Sequence, residues 1–157
     1  SAEEAVILEW HRNNELSKRL DDVAGVGPIT ATAVVASFGD GREFDNGRQM
    51  AACVGVVPRQ HSSGGKTQLL GISKRGDTYV RMLLIHGARA VIRTLQCRAK
   101  RGDNPTDQWL SKLLVRRNPN VAAVALANKT VRVIWALLAH GRTYDRNWSG
   151  KKAAAAA

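Results

Sequence analysis

The chain has 157 residues, an ordinary 44% hydrophobic share and a formal net charge of +11 at pH 7. That length suits one domain with a helical appendage; no run of about 18 apolar residues announces a membrane span, and the acidic start Ser1-Ala-Glu-Glu4 lacks the basic-then-apolar order of a secretory leader. The charge is lopsided: residues 1–58 carry five Lys/Arg against nine Asp/Glu and residues 59–157 nineteen against four, so the second half points to a polyanion, most commonly nucleic acid, or else to a solvated basic surface.

Residues 3–20 mix many charges with Ala5, Val6, Leu8, Trp10, Leu16 and Leu20. The pattern predicts one amphipathic helix, the tail of a longer one, that pairs with another chain as a coiled coil or packs on its own domain. Next, Gly25-Val-Gly27-Pro28 predicts a tight turn with Pro28 at a first helical position, and residues 29–38 form a small-residue helix stopped by Gly39-Asp-Gly41. This turn and helix resemble a helix-hairpin-helix, whose amides and helix N-terminus face a DNA phosphate. Gly25 and Gly27 are therefore candidate DNA contacts, against the plainer reading of a helical turn packed in a core.

A short helix capped by Asn46 follows, with Met50, Ala51, Ala52 and Val54 as its apolar face. Residues 59–76 have no helical period, although Thr67–Leu70 can form a strand and a hairpin there is open. Asp77 is expected to cap a helix from Thr78 to about Lys100, with Val80, Leu84, Ala88, Ile92 and Leu95 among its apolar residues. Arg81, Arg89, Arg93 and Arg98 recur along it near one-turn intervals, either beside a phosphate backbone or toward solvent. Thr106 or Asp107 caps a helix containing Trp109, Leu110, Leu113 and Leu114; after Asn118-Pro119-Asn120, the most apolar segment, 121–140, is expected to be the central core helix. Trp109 and Trp135 are expected in the core and Trp10 at a helix interface. Cys53 and Cys97 lack any CxxC or His spacing and read as buried, reduced thiols of a cytoplasmic protein, with neither disulfide nor metal. The start without Met suggests an excised fragment, and Lys151–Ala157 reads as an appended or disordered tail.

The segment richest in chemical possibility is Arg59-Gln-His-Ser-Ser-Gly-Gly-Lys66, followed by Gly71-Ile-Ser-Lys-Arg-Gly76. Glycines allow close backbone approach to a ligand, and cations attract phosphate. A serine there is a potential nucleophile toward a phosphodiester once activated. Arg59, Lys66, Lys74 and Arg75 can offset growing phosphoryl charge, and amides near Gly64 and Gly65 can form an anion nest. His61 can serve as base or simply hydrogen-bond in the loop. The plainer reading is a flexible basic loop that touches nothing.

Taken in order, Val26-Gly-Pro-Ile-Thr-Ala, Phe44 with Arg48-Gln-Met-Ala-Ala, Gly55-Val-Val-Pro-Arg, His61-Ser-Ser-Gly-Gly-Lys and Ile72-Ser-Lys-Arg-Gly-Asp resemble the C-terminal transposase domain of the insertion-sequence-110 family, over about residues 20–140. That family includes Piv-type invertases and bridge-RNA-guided recombinases. The resemblance implies a mostly α-helical, compact domain with a helix-hairpin-helix-like turn and a glycine-rich serine loop. Its divisions are a linker helix over 1–20, the transposase domain over 21–148 with the loop at 59–76, and a tail over 149–157.

The resemblance further implies that a serine just before glycine, Ser63 by position with Ser62 as the alternative and Ser73 more remote, attacks DNA and forms a phosphoserine linkage. DNA contacts would come from Arg59, Lys66, Lys74, Arg75, Gly25, Gly27, Arg81 and Arg89. Mg2+ would be held by an acidic RuvC-like domain, of the same or a partner subunit, that this chain does not contain; this chain itself would bind no metal and be nearly inert alone. DNA, a guide RNA in bridge-RNA members, and a homo-oligomer in the bacterial cytoplasm complete the expectation. Two other readings stay open: a non-catalytic helix-hairpin-helix module that recruits DNA, and an RNA-binding structural domain.

Overall fold

The computed structural model describes residues 1–63, 66–72 and 76–145, with the backbone alone described for 58–63 and 66–72. Among these, seven helices and one antiparallel hairpin form a mostly helical domain: α1 (Ala2–Asn13), α2 (Glu15–Lys18), α3 (Pro28–Phe38), α4 (Gly47–Val54), β1 (Pro58–Ser63), β2 (Lys66–Ile72), α5 (Thr78–Lys100), α6 (Gln108–Arg116) and α7 (Pro119–Ala139). The core gathers around α7, which packs against α4, α5 and α6, while α3 joins α1 and α2 to α5. Leu20, Met50, Val54, Val56, Val80, Leu110, Val131 and Ile134 are among the side chains wholly withdrawn from solvent.

Most helix starts follow from local chemistry. Asn46, Asp77, Asp107 and Asn118 each accept a hydrogen bond from the backbone N–H three residues on, satisfying one of the donors that a helix N-terminus leaves unpaired. Pro119 begins α7, where its missing N–H costs nothing. Asp107, not Thr106, caps α6.

The expected single helix over 3–20 is two. Asn14 adopts an extended conformation, ends α1 and caps α2 through its side chain to the Ser17 N–H, because asparagine competes with helix by bonding nearby backbone. The joint is fixed by His11, whose Nδ1 lies 2.6 Å from Ser17 Oγ and whose Nε2 lies 2.7 Å from Asp21 Oδ1. The segment packs on α3, yet Val6 and Trp10 stay exposed on α1.

Two further expectations are corrected. Cys53 and Cys97 are exposed free thiols: Met50, Ala51 and Val54 take the inward side of α4, and Ile92 and Leu95 that of α5, which turns both cysteines outward. Trp109 is 40% exposed and carries the Lys129 ammonium 4.3 Å from its ring centre, a cation–π contact on the surface. Trp135 does pack against the core, and its indole N–H donates to the Gly41 carbonyl at 3.1 Å. Lastly, α7 is by length and composition capable of crossing a bilayer, although half of its most apolar window is buried inside this domain; here it serves as the core helix, as expected.

The backbones of α5 and the turn before α3 touch. Gly87 lies mid-helix, where glycine costs about 1 kcal/mol relative to alanine, and a Cβ on it would collide with the Gly25 carbonyl oxygen. The pair allows two elements to cross closer than any side chain permits.

Candidate nucleic-acid interface

The hairpin presents the serines. Ser63 pairs with Lys66 and Ser62 with Thr67, then His61 with Gln68 and Gln60 with Leu69, and an irregularity separates Pro58 from Gln60. Strand positions alternate between the two faces of a sheet. Positions 61 and 63 therefore share one face, and position 62 lies on the other. Gly64, Gly65, Ser73, Lys74 and Arg75 lie outside the described residues, and Arg59, Ser62, Ser63 and Lys66 are placed by their strand backbone alone.

Both legs of the hairpin are tied to the helices at its foot. On the entering leg, Arg81 Nη1 donates to the Val54 carbonyl at 3.2 Å and Asn128 Nδ2 to the Val56 carbonyl at 3.3 Å. On the leaving leg, Gly76 has φ 103° and its Cα lies against the Cys53 carbonyl, so that any Cβ would strike that oxygen. Asp77 follows at once. One carboxylate oxygen caps α5 through Val80 N–H, and the other accepts from the Ser37 hydroxyl at 3.0 Å. On the entering side the carbonyls of Val54 and Val56 are thus each paired with a side chain of a neighbouring helix.

This foot corrects the expectation for Arg81. The residue is only 9% exposed, and its second amino group approaches Thr78 Oγ1 at 3.5 Å. Its guanidinium is engaged with the protein at this foot. Arg89 and Arg93, by contrast, are exposed. With Ile92, Gln96, Pro119 and Asn120 they line a groove of about 200 Å³ between α5 and the start of α7.

The two turn glycines also separate. Gly25 has φ 82° and is pressed on Gly87 and Val91; a methyl at its Cα would fall 2.9 Å from the Gly87 oxygen. Gly27 is exposed, with open space around its Cα, and it begins α3 without any side-chain cap. Pro28 has no N–H, so Ile29 and Thr30 carry the amides of that first turn, and no side chain caps them.

Asp–His–Ser order in Asp21, His11 and Ser17 has the outline of a hydrolytic triad. Ser17, however, has no solvent exposure, and a nucleophile must reach its substrate. The three residues act as a strut between α1, α2 and the following turn. Among the described residues no three His, Cys, Asp or Glu side chains are grouped to hold a metal ion; of the four acids in the basic half, Asp77 and Asp107 are spent as helix caps.

With this arrangement in view, the relatives are informative. The model of the transposase IS116/IS110/IS902 family matches residues 17–102, more than half of the chain, including the hairpin and its foot except for Asn128. The chain belongs to that family. It is 56% identical over 133 residues to a probable family 20 transposase of Pseudomonas aeruginosa, covering 85% of this chain and 38% of that protein. It is 51% identical over 134 residues to the transposase for insertion sequence element IS1111A of Coxiella burnetii, covering 83% and 35%. A transposase for insertion sequence element IS1328 of Yersinia enterocolitica is 38% identical over 134 residues, with 85% and 39% covered. The chain thus spans somewhat over a third of the length of these relatives.

Proposed function

We propose that this domain supplies the serine nucleophile of a DNA transposase, and that Ser63, with Ser62 as the alternative, joins the cut strand covalently. The observation that carries the reading is the hairpin register: it sets Ser63 opposite Lys66 at the far end of a hairpin tied at its foot, in a stretch rich in cations. In the cleavage step the serine Oγ attacks phosphorus and its proton passes to a base. The bond from phosphorus to one deoxyribose oxygen breaks, and that oxygen leaves as a hydroxyl after taking up a proton. In rejoining, a DNA hydroxyl attacks the phosphoserine, and the Oγ–phosphorus bond breaks. The energy of the bond is conserved, so no nucleotide triphosphate is needed.

Lys66, Arg59, Lys74 and Arg75 are the cations close in sequence that would offset the charge growing on the phosphoryl oxygens. His61 shares the face of position 63 and is the candidate base. Among the described residues no three His, Cys, Asp or Glu side chains gather to hold a metal ion; in this reading the Mg2+ would be held by a RuvC-like domain, in the same or a partner subunit. DNA at the serine and a guide RNA elsewhere are the partners this reading implies, in a homo-oligomer working in the bacterial cytoplasm.

The test uses the full-length transposase that carries this domain, incubated with its DNA and Mg2+. A covalent protein–DNA adduct should form with the parent, persist in Ser62→Ala and vanish in Ser63→Ala, and peptide mapping should place it on Ser63. An adduct that survives in both variants ends the reading. The open first turn of α3 at Gly27 favours a second reading, a helix-hairpin-helix module that holds DNA without chemistry. That reading requires strand exchange to continue in Ser63→Ala.

A further inference from the structure

We propose that the outward face of α5 is a docking surface for the DNA strand next to the cut, with Arg89 and Arg93 gripping its phosphates and Tyr79 stacking on an unpaired base. The inference rests on the hairpin being the place of cleavage, and deepens that reading by giving the strand a path away from it.

Tyr79, Met82, His86, Arg89 and Arg93 follow one another at spacings of three or four residues, so they form one ridge on the helix. All five are exposed. The opposite side, with Val80, Leu84, Ala88, Ile92 and Leu95, is the one that builds the core. Tyr79 is 53% and Met82 45% exposed, a large apolar area for which the domain has no internal use. They stand at the foot of the hairpin, since Tyr79 lies in the first turn after Gly76 and Asp77. The two arginines stand at the far end, beside the groove toward α7.

Charge selects the occupant. Between Asp45 and Asp103 the one acidic residue is Asp77, and its carboxylate is taken by the Val80 N–H and the Ser37 hydroxyl. Among the described residues neither Arg89 nor Arg93 has an acidic partner. A protein partner would leave these guanidinium groups facing whatever acids it happened to bring, whereas a phosphodiester strand brings a regular row of anions. Tyr79 to Arg93 spans about 21 Å along the helix at about 1.5 Å per residue, comparable to about six nucleotides at about 3.4 Å each. An aromatic ring at one end and cations at the other is the combination that binds single strands, because every base offers a face to stack on. Bases inside a duplex have both faces occupied, so the ring suits a base released from the stack next to the cut.

The experiment uses full-length transposase in a Ser63→Ala background, so that binding is measured without chemistry, and target DNA left unpaired over several bases at the cut, with 2-aminopurine among them. Arg89→Ala with Arg93→Ala should weaken binding by on the order of tenfold or more and lower the slope of log affinity against log salt by about 1.8, about 0.9 for each phosphate no longer neutralised. Tyr79→Ala should weaken binding by on the order of tenfold and restore 2-aminopurine fluorescence, while Tyr79→Phe keeps both at the parent level. Affinity within about twofold of the parent in the double variant, or equal loss in Tyr79→Ala and Tyr79→Phe, overturns the proposal, as does an effect on RNA binding with none on DNA. Circular dichroism melting checks that these exposed substitutions leave the fold intact. If the ridge variants behave as stated while an adduct still forms without Ser63, the docking surface stands and the nucleophile assignment alone falls.

Discussion

The guanidinium of Arg81 donates to the carbonyl of Val54 at 3.2 Å, tying the start of α5 to the end of α4 where the chain departs for the serine hairpin. A hydrogen bond from a charged donor contributes about 1.5–3 kcal/mol, and a buried carbonyl left without a donor costs a further penalty of about 1–3 kcal/mol. Arg81→Met keeps most of the buried stem and removes the donor. It should lower stability by about 2 kcal/mol and the melting midpoint by about 4–8 °C for a domain of this size. The measurement is thermal unfolding by circular dichroism, and an unchanged midpoint would show that this hydrogen bond does not hold the foot. In the full-length enzyme the same change should slow adduct formation beyond the loss explained by stability, because the proposed nucleophile, Ser63, would be less firmly presented.

The crossing of Gly25 and Gly87 gives an inverted expectation. In an exposed helix interior, glycine to alanine stabilises by about 1 kcal/mol. At Gly87 the new methyl would enter the Gly25 carbonyl oxygen, a backbone atom that cannot rotate away. Gly87→Ala should destabilise by about 2 kcal/mol or more, in line with the cost of overpacking. Gly27→Ala is the control: its φ is −89° and nothing surrounds its Cα, so the change should stay within about 1 kcal/mol, the range of a weakened cap. Urea unfolding of the two variants decides the matter, and equal effects would show that the close approach does not constrain the fold.

Much of this fold could be read from the chain, and the failures share a cause. Caps at Asn46 and Asp77 depend on residues within one turn, so local chemistry reveals them. The central place of α7 follows from its apolar content. Arg81 misled because its spacing with Arg89 and Arg93 looked like one stripe, whereas its partner is a carbonyl 27 residues upstream. Gly87 attracted no notice because its reason lies in another element. The break at Asn14 was signalled by the asparagine itself, but an amphipathic pattern running across it concealed the joint. For the site, the order of motifs pointed to the serines, and the register added what spacing cannot give, the separation of positions 62 and 63 onto two faces.

Exposure of the thiols offers a quick check. Cys53 and Cys97 both face outward on their helices. A thiol reagent such as dithiobisnitrobenzoate should modify both in the native protein, with amplitude equal to that after denaturation. A native amplitude of one thiol or none would contradict the orientation of α4 or α5.

The strut formed by His11, Ser17 and Asp21 separates structure from chemistry. Ser17→Ala leaves a ring nitrogen of the buried His11 without its partner at 2.6 Å, and an unsatisfied buried polar group costs about 1–3 kcal/mol. The loss should appear in urea unfolding of the domain as a lower midpoint with an unchanged slope. The Asp21 side of the same ring is half-open to solvent, so Asp21→Asn, which retains an oxygen acceptor, should cost less than Ser17→Ala. Neither change should abolish covalent adduct formation by the full-length transposase under conditions where the variant is folded, because the hydroxyl of Ser17 never meets solvent. Loss of adduct in a folded Ser17→Ala protein, with Ser63 intact, would mean that the strut takes part in the reaction. The hairpin would then not be the source of the nucleophile.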